Sequence, residues 1–590
     1  MQAVYNIAEI CHRHGITDVI LSPGSRSAPL TLAFARHPAY RGRLRVVPDE
    51  RAAAFIALGI AQATRRPVVL VCTSGTAGLN YAPAVAEAYF QQIPLLILTA
   101  DRPPEWIDQL DGQTIRQRNL YGAHAKGAFD FPADTAHPDA KWHSERIINE
   151  AINLTMAGPA GPVQVNVPLR EPFYPKAGEE MGYEADVRII QQDAATYAGT
   201  KRQTYQQLKD AKRLLVVVGQ HPAEAKLTAA LTRFAAVFGV PVVCDVISNV
   251  ANPVPLQESV TSSPYFPDSS SLCPLPAEQF VTQHDIFLAG LSTAQKEELR
   301  PDFLITCGQS LISKSLKLFL REAKPTQHWH IQAEGAVADT FRTLTRIVRS
   351  DPTEFFSRWT PAELPARDTL LPWQQAEAAA TQSLTSFFET ESHPFNEFSA
   401  MRQALTLLPE ATALHLANSM AVRYANILGL PQQRQVKVFA NRGTSGIDGC
   451  TSTAVGAALA QPGRPVVLLT GDVAFFYDRN AFWHNYPTPN LRVVLFNNHG
   501  GGIFRLIDGP RQQPELDEFF ETTQALTAEN TARDFKLRYF PVSSFDELDA
   551  ALPVFFAAET GAAILEIFTD SKTNAAFFEE YRKAVKLAFS

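Results

Sequence analysis

The chain has 590 residues, too many for one hydrophobic core, and its length fits about three domains. Hydrophobic residues make up 46% and charged residues 19%, the balance of a globular fold, and a net charge of −7 leaves no basic footprint for nucleic acid. Six scattered cysteines without a CxxC pair argue against a disulfide framework or zinc site and for a reducing cytosol. The first residues, MQAVYNIAEICHRHG, read as an amphipathic helix without a signal-peptide core, and no run of 18 apolar residues occurs, so the expectation is a cytoplasmic chain with no membrane span.

In chain order, residues 1–180 alternate strands with helices. Strands over Asp18–Leu21, Leu44–Val47, Pro67–Cys72 and Pro94–Thr99 open into SPGSRS, Pro48-Asp49-Glu50, Ser74-Gly75-Thr76-Ala77-Gly78 and Ala100-Asp101-Arg102-Pro103, and Gly161–Pro168 makes a last strand. Residues 170–193 read as a linker. Residues 195–350 form a second, Rossmann-like α/β unit, with strands at Arg213–Val218, Val240–Val246, Asp302–Cys307 and His328–Gln332 but no G-x-G-x-x-G. Its Pro- and Ser-rich stretch 248–276 reads as an irregular loop, and 351–373 as a second linker. Residues 375–590 form a third unit. Its strands at Thr412–Leu416 and Val436–Ala440 lead to Ala417-Asn418-Ser419 and NRGTSGIDG (441–449), and Ala562–Thr569 is a late strand. Alternating strands and helices predict an α/β chain of three doubly wound domains with mainly parallel sheets.

The third unit holds the most informative stretch. An apolar strand, Val466–Thr470, ends on Gly471-Asp472. A helical segment, Phe475–His484, is closed by Pro487 and Pro489. A second strand, Leu491–Phe496, ends on Asn497-Asn498 and the glycine run 500–502. Asp472 and Asn498 thus stand at the carboxyl ends of two strands of one βαβ unit, with 25 residues between them, where open α/β sheets bind ligands. A hard cation such as Mg²⁺ takes oxygen ligands and shares them with phosphates. Asp472 offers a carboxylate, Asn498 an amide oxygen and Gly500 a backbone carbonyl, while glycines let the backbone approach a diphosphate. Gly-Asp alone is a common strand ending, so the ligand reading rests on the whole constellation.

Glu50 is the second key position. As an isolated Asp-Glu pair, Asp49 caps a helix and Glu50 complements its dipole. A carboxyl group in an apolar strand-to-helix turn can also share a proton with a ring nitrogen, a requirement of thiamine chemistry.

The Gly-Asp…Asn-Asn stretch resembles the thiamine-diphosphate motif, with Val473 where glycine is usual and His499 after the asparagines. With SPGSRSAPL (22–30), PDERAAAF (48–55), TSGTA (73–77), TADRPPE (99–105), NRGTSGIDG and NNHGGGIF, nearly the whole chain resembles the thiamine-diphosphate enzymes of the pyruvate-oxidase and acetohydroxyacid-synthase type. It is most similar to the branch that decarboxylates 2-oxoglutarate and adds the succinic-semialdehyde carbanion equivalent 1,4 to isochorismate. The product is 2-succinyl-5-enolpyruvyl-6-hydroxy-3-cyclohexene-1-carboxylate, in menaquinone biosynthesis.

The resemblance implies thiamine diphosphate with Mg²⁺ or Mn²⁺, and a homodimer or homotetramer whose active sites lie at the subunit interface. It makes Glu50 the catalytic carboxyl and places Gly471, Asp472, Asn498 and Gly500 around cofactor and metal. Ile447 becomes the apolar residue that bends the cofactor into a V. It makes 1–180 the pyrimidine-binding domain, 195–350 the middle domain and 375–590 the diphosphate- and metal-binding domain. Two dicarboxylate substrates call for arginines; Arg26, Arg102, Arg423 and Arg442 fill that role. Ser25, Gln113, Ser419 and Lys314 join them in the substrate pocket, with Ile503 and Phe504 as apolar walls. Ser315 stands where the family commonly has arginine. His124 and His221 read as ordinary polar residues. Read singly, each arginine could equally be a solvated surface cation. Two alternatives stay open: another thiamine-diphosphate carboligase or decarboxylase acting on an apolar 2-oxo acid, and a non-catalytic cofactor-binding protein of this fold.

Overall fold

The structure is a computed structural model and describes residues 1–171, 173–175, 181–191, 205–251, 279–359, 367, 369–389, 393–431 and 434–589. Among these residues the strands form three six-stranded sheets in which every pairing is parallel.

The first sheet comprises β1 Val19–Leu21, β2 Leu44–Val46, β3 Val68–Cys72, β4 Leu95–Asp101, β5 Gly127–Asp130 and β6 Pro162–Pro168, in the order β2-β1-β3-β4-β6-β5. The second comprises β7 Leu214–Val218, β8 Val242–Cys244, β9 Phe280–Val281, β10 Phe303–Cys307, β11 Gln327–Ile331 and β12 Arg346–Val348, in the order β12-β11-β10-β7-β8-β9. The third comprises β13 Ala413–Leu416, β14 Lys437–Phe439, β15 Val466–Gly471, β16 Leu491–Asn497, β17 Arg538–Val542 and β18 Ala563–Phe568, in the order β14-β13-β15-β16-β18-β17. The first and third sheets therefore share one topology. In each, the strand order reverses between the first strand and the third, and a crevice opens there at the carboxyl ends. SPGSRS, the Asp49-Glu50 turn and TSGTA surround that crevice in the first sheet. Ala417-Asn418-Ser419, NRGTSGIDG and Gly471-Asp472 surround it in the third.

The central strands are apolar runs buried on both faces, VVLVC in β3 and LRVVLFN in β16, as a covered parallel sheet requires. Between the first and third sheets lie the helices Glu50–Thr64 and Cys450–Ala460, which share one core with β3, β4 and β15. They cross at glycines. A Cβ on Gly59 would stand 2.0 Å from Thr453 O, and one on Gly456 2.2 Å from Ile56 O. No larger residue permits this approach of backbone to backbone.

Three sequence expectations change. The helix expected over 475–484 begins earlier, at Asp472, and ends at Tyr477; a 3₁₀ turn, Arg479–Phe482, follows. The described part of the 170–193 linker is a strap on the first unit: Tyr183 Oη donates to Ala33 O at 2.7 Å, Lys141 pairs with Glu184 at 2.7 Å, and Val187 is buried. The described part of 351–373 carries the helix Pro352–Ser357, capped by Asp351, whose Phe355 and Phe356 enter the core beside Trp359; the helix Leu370–Glu389 also begins within it. Of the irregular loop expected at 248–276, residues 248–251 are buried or half-buried and 252–276 lie outside the described residues.

Candidate active site

At the first sheet, Glu50 opens the helix Glu50–Thr64, with Asp49 as its cap through Ala52 N–H at 3.2 Å. Glu50 is half-buried, and burial raises its carboxyl pKa; its own backbone N–H lowers it and the Asp49 charge raises it. It lines a cavity of about 370 Å³ with Thr73–Ala77, Asn80, Asp111 and Gln113–Ile115, all from the first unit. Thr73 Oγ1 and Ser74 Oγ are buried there without a hydrogen-bond partner. Gln117, which sequence reasoning did not single out, is buried and holds the backbone of Gly75 on the cavity wall. Its Oε1 accepts Gly75 N–H at 2.8 Å, and its Nε2 donates to Ala100 O at 3.0 Å and Asn166 Oδ1 at 3.1 Å.

At the third sheet, β15 and β16 pair with Gly471 opposite Phe496, so Asp472 and Asn498 follow adjacent strand ends in register. Asp472 Oδ1 accepts its neighbour Val473 N–H at 2.9 Å, and Oδ2 accepts Gln524 Nε2 at 2.8 Å. Burial raises the Asp472 carboxyl to about 6 against the pull of Gln524, Val473 N–H and Gly500 N–H. Asn498 Nδ2 donates to Glu397 Oε2 at 3.1 Å, while its Oδ1 is buried and unpartnered. Gly500 is packed so closely that a Cβ would stand 2.7 Å from Glu521 O. One carboxylate, one free amide oxygen and a glycine backbone fit a hard cation that takes its remaining ligands from a diphosphate. Among the described residues no group of three or more His, Cys, Asp or Glu side chains could hold a metal alone.

The four arginines form two pairs. Arg26 is buried, donates to Leu169 O at 2.9 Å and lies 4.4 Å over the Phe173 ring; its pKa is lowered by burial and then by Arg102. Arg102 meets Asp111, a cavity-lining residue, at 3.0 Å. Arg442 donates to Asn418 Oδ1 at 2.9 Å, and its pKa is lowered by burial and then by Arg423. Arg423 donates to Ser419 O, where Ser419 holds a φ of 73° at the start of the helix Met420–Leu428. Lys314 opens the helix Lys314–Ala323 and is exposed, whereas Lys317 one turn on is part-buried within reach of the charges of Arg442 and Arg423.

Ser25 and Gln113 are exposed at the first sheet's edge, Gln113 on the cavity wall. Ile447 is half-buried in loop 441–449. Ile503 and Phe504 lie on the 3₁₀ turn Gly502–Arg505, Phe504 with its ring 5.9 Å from Phe520. Glu87 holds that 441–449 loop from the first unit, accepting Gly443 N–H at 2.8 Å and Thr444 N–H at 2.7 Å. His124 packs by its ring on Phe90, and His221 Nδ1 stands 2.8 Å from Pro222 O; neither joins the two crevices.

Three family profiles match the chain: "Thiamine pyrophosphate enzyme, N-terminal TPP binding domain" over residues 1–120, "Middle domain of thiamine pyrophosphate" over 183–416, and "Thiamine pyrophosphate enzyme, C-terminal TPP binding domain" over 420–567. A 2-succinyl-5-enolpyruvyl-6-hydroxy-3-cyclohexene-1-carboxylate synthase from Cytophaga hutchinsonii is 43% identical over 100% of both chains. The chain belongs to this synthase family of thiamine-diphosphate enzymes. Synthases of the same name from Flavobacterium johnsoniae (35% identical, 98% of each chain) and Porphyromonas gingivalis (34%, 98% of this chain and 96% of the other) agree. In fold, the chain matches a benzoylformate decarboxylase from Polynucleobacter necessarius with a TM-score of 0.66 at 17% identity, covering 97% of this chain and 99% of that one. The first profile covers the Glu50 crevice and the third covers the Asp472 crevice. No helix among the described residues is long and apolar enough to cross a membrane.

Proposed function

We infer that the chain decarboxylates 2-oxoglutarate and adds the remaining succinic-semialdehyde unit 1,4 to isochorismate, forming 2-succinyl-5-enolpyruvyl-6-hydroxy-3-cyclohexene-1-carboxylate for menaquinone biosynthesis. The observation that carries this reading is the placement of two arginine pairs, Arg26 with Arg102 and Arg423 with Arg442, beside the two sheet crevices. Substrates rich in carboxylates need such cations, whereas an apolar 2-oxo acid does not. Full-length kinship with the synthases supports it.

Thiamine diphosphate supplies, when bound, a nucleophilic carbon and an electron sink for decarboxylation. Glu50, its carboxyl raised by burial, holds a proton at the N1′ atom of the aminopyrimidine. Asp472, Asn498 Oδ1 and the Gly500 carbonyl would hold Mg²⁺ or Mn²⁺ for the diphosphate, with Gly471 beside them. Ile447 would be the apolar residue against the cofactor. Ser25, Arg26, Arg102, Gln113, Ser419, Arg423 and Arg442 bind substrate carboxylates and hydroxyls, with Ile503 and Phe504 as walls. Lys317 joins Lys314 as a cation on the same helix. Residues 1–180, 195–350 and 375–590 serve as pyrimidine-binding, middle, and diphosphate- and metal-binding domains. Kinship with thiamine-diphosphate enzymes supports a homodimer or homotetramer in which the Glu50 cavity of one subunit would meet the cation cradle of its partner. A cytoplasmic location accords with this chemistry.

The test is release of labelled CO₂ from carboxyl-labelled 2-oxoglutarate. Release that needs both thiamine diphosphate and a divalent cation, with pyruvate and benzoylformate turned over at least roughly tenfold more slowly, is the expected result. Faster release from pyruvate would replace the dicarboxylate reading with that of an apolar 2-oxo-acid enzyme.

A further inference from the structure

Glu397 lies next to the cation cradle but belongs to none of the motifs. It opens the helix Glu397–Thr406, whose cap Asn396 accepts Ser399 N–H at 2.9 Å. It is 4% exposed. Its backbone N–H donates to Asn574 Oδ1 at 2.9 Å, and Asn574 Nδ2 is anchored on Thr569 Oγ1 at 2.9 Å. A carboxylate buried this deeply is costly unless something compensates it. Two amides face it: Asn498 Nδ2 donates to Glu397 Oε2 at 3.1 Å, and Asn574 Nδ2 reaches the same oxygen at 3.5 Å.

The consequence falls on the other end of that amide. The oxygen and nitrogen ends of an asparagine have nearly the same shape, so only their partners decide which way round the group sits. A cation can use the oxygen and is repelled by the NH₂. With the NH₂ tied to Glu397, Asn498 Oδ1 is left buried and free of any partner. Asp472 needs no such help, because either of its oxygens can face the metal.

We propose that Glu397 is a positioning residue for the metal: it fixes the Asn498 amide with Oδ1 presented to the cation. The inference rests on the reading of Asp472 and Asn498 as metal ligands. Partners in the outer shell that orient a ligand typically change metal affinity by about 10–100-fold.

The test is Mn²⁺ binding to the full-length protein with saturating thiamine diphosphate, free Mn²⁺ being read by electron paramagnetic resonance. Asp472→Ala is the control for the metal reading and should lose tight binding. Glu397→Ala should weaken Mn²⁺ binding by roughly 10–100-fold. Glu397→Gln, whose Oε1 can accept the same N–H, should stay close to wild type. In an Asn498→Asp background the ligand needs no orienting and Glu397 opposes it as a like charge. There, Glu397→Gln should strengthen Mn²⁺ binding. A merely structural Glu397 would make Glu397→Gln act alike in both backgrounds, and that result overturns the proposal, as does wild-type binding by Glu397→Ala. If Glu397→Ala does not fold, the two Glu397→Gln comparisons decide. Wild-type binding by Asp472→Ala would overturn the metal reading itself, while loss in Asp472→Ala with no change in Glu397→Ala would overturn the Glu397 role alone.

Discussion

At the scale of single residues, the arginines carry the substrate assignment. A charge-assisted bond is worth roughly 1.5–3 kcal/mol, about a ten- to hundredfold change in an equilibrium constant. Arg26→Ala, Arg102→Ala, Arg423→Ala and Arg442→Ala should each raise KM for 2-oxoglutarate or isochorismate by that factor, or lower kcat where the contact tightens in the transition state. Thiamine diphosphate affinity should hold steady. Steady-state kinetics with both substrates, beside calorimetric titration of the cofactor, separates these effects; four variants with unchanged constants would make the arginines surface cations. Asp472, Asn498 and Gly500 stood out in the sequence as candidates because each lies just past a strand inside a motif. Gln117, Glu397 and Gln524 did not. Each acts through a hydrogen bond to a residue far along the chain, and nothing local in the sequence marks such a partner.

At the scale of elements, the first unit grips the 441–449 loop through Glu87, a buried carboxylate on the helix Ala82–Gln91. Its two oxygens accept the N–H groups of Gly443 and Thr444, and Thr444 Oγ1 donates as well. Arg442 and Ile447 ride on that loop. Glu87→Ala should therefore lower turnover by roughly tenfold or more, since bonds to a charged group are worth about 1.5–3 kcal/mol each. Amide hydrogen exchange across 441–449 should accelerate. Unchanged exchange and turnover would show the loop to be held by other contacts. Central strands such as β3, β4 and β16 were legible from their apolar runs. The edge strands β9 and β12 escaped because they are too short for a run, β17 because Pro541 interrupts it, and β5 because it alternates half-buried and exposed positions. The strap at 181–191 looked like a linker for a related reason. Asn6, Lys141 and Asn149 on other helices anchor it, and its own apolar residues, Met181, Tyr183, Val187 and Ile189, reach the core one at a time without a strand or helix period.

At the scale of the whole molecule, two sheets of one topology pack on the Glu50–Thr64 and Cys450–Ala460 helices, each with a crevice at its strand ends. Glu50 belongs to one crevice and Asp472 to the other. If a site draws Glu50 from one subunit and Asp472 from its partner, Glu50→Gln and Asp472→Ala homodimers are both inactive, but a hybrid of the two keeps one intact site. Co-expressed with different tags and purified through both, the hybrid should recover roughly half of wild-type turnover. A hybrid as inactive as its parents would place both residues in the same protomer's site.

The claim on which the rest depends is that this chain joins 2-oxoglutarate to isochorismate. Purified protein with thiamine diphosphate, Mg²⁺ and 2-oxoglutarate should be incubated with and without isochorismate and the products identified by mass. The account predicts 2-succinyl-5-enolpyruvyl-6-hydroxy-3-cyclohexene-1-carboxylate only when isochorismate is present, and its loss in Glu50→Gln. Succinic semialdehyde as the sole product in both reactions, or no cofactor-dependent product at all, would contradict it.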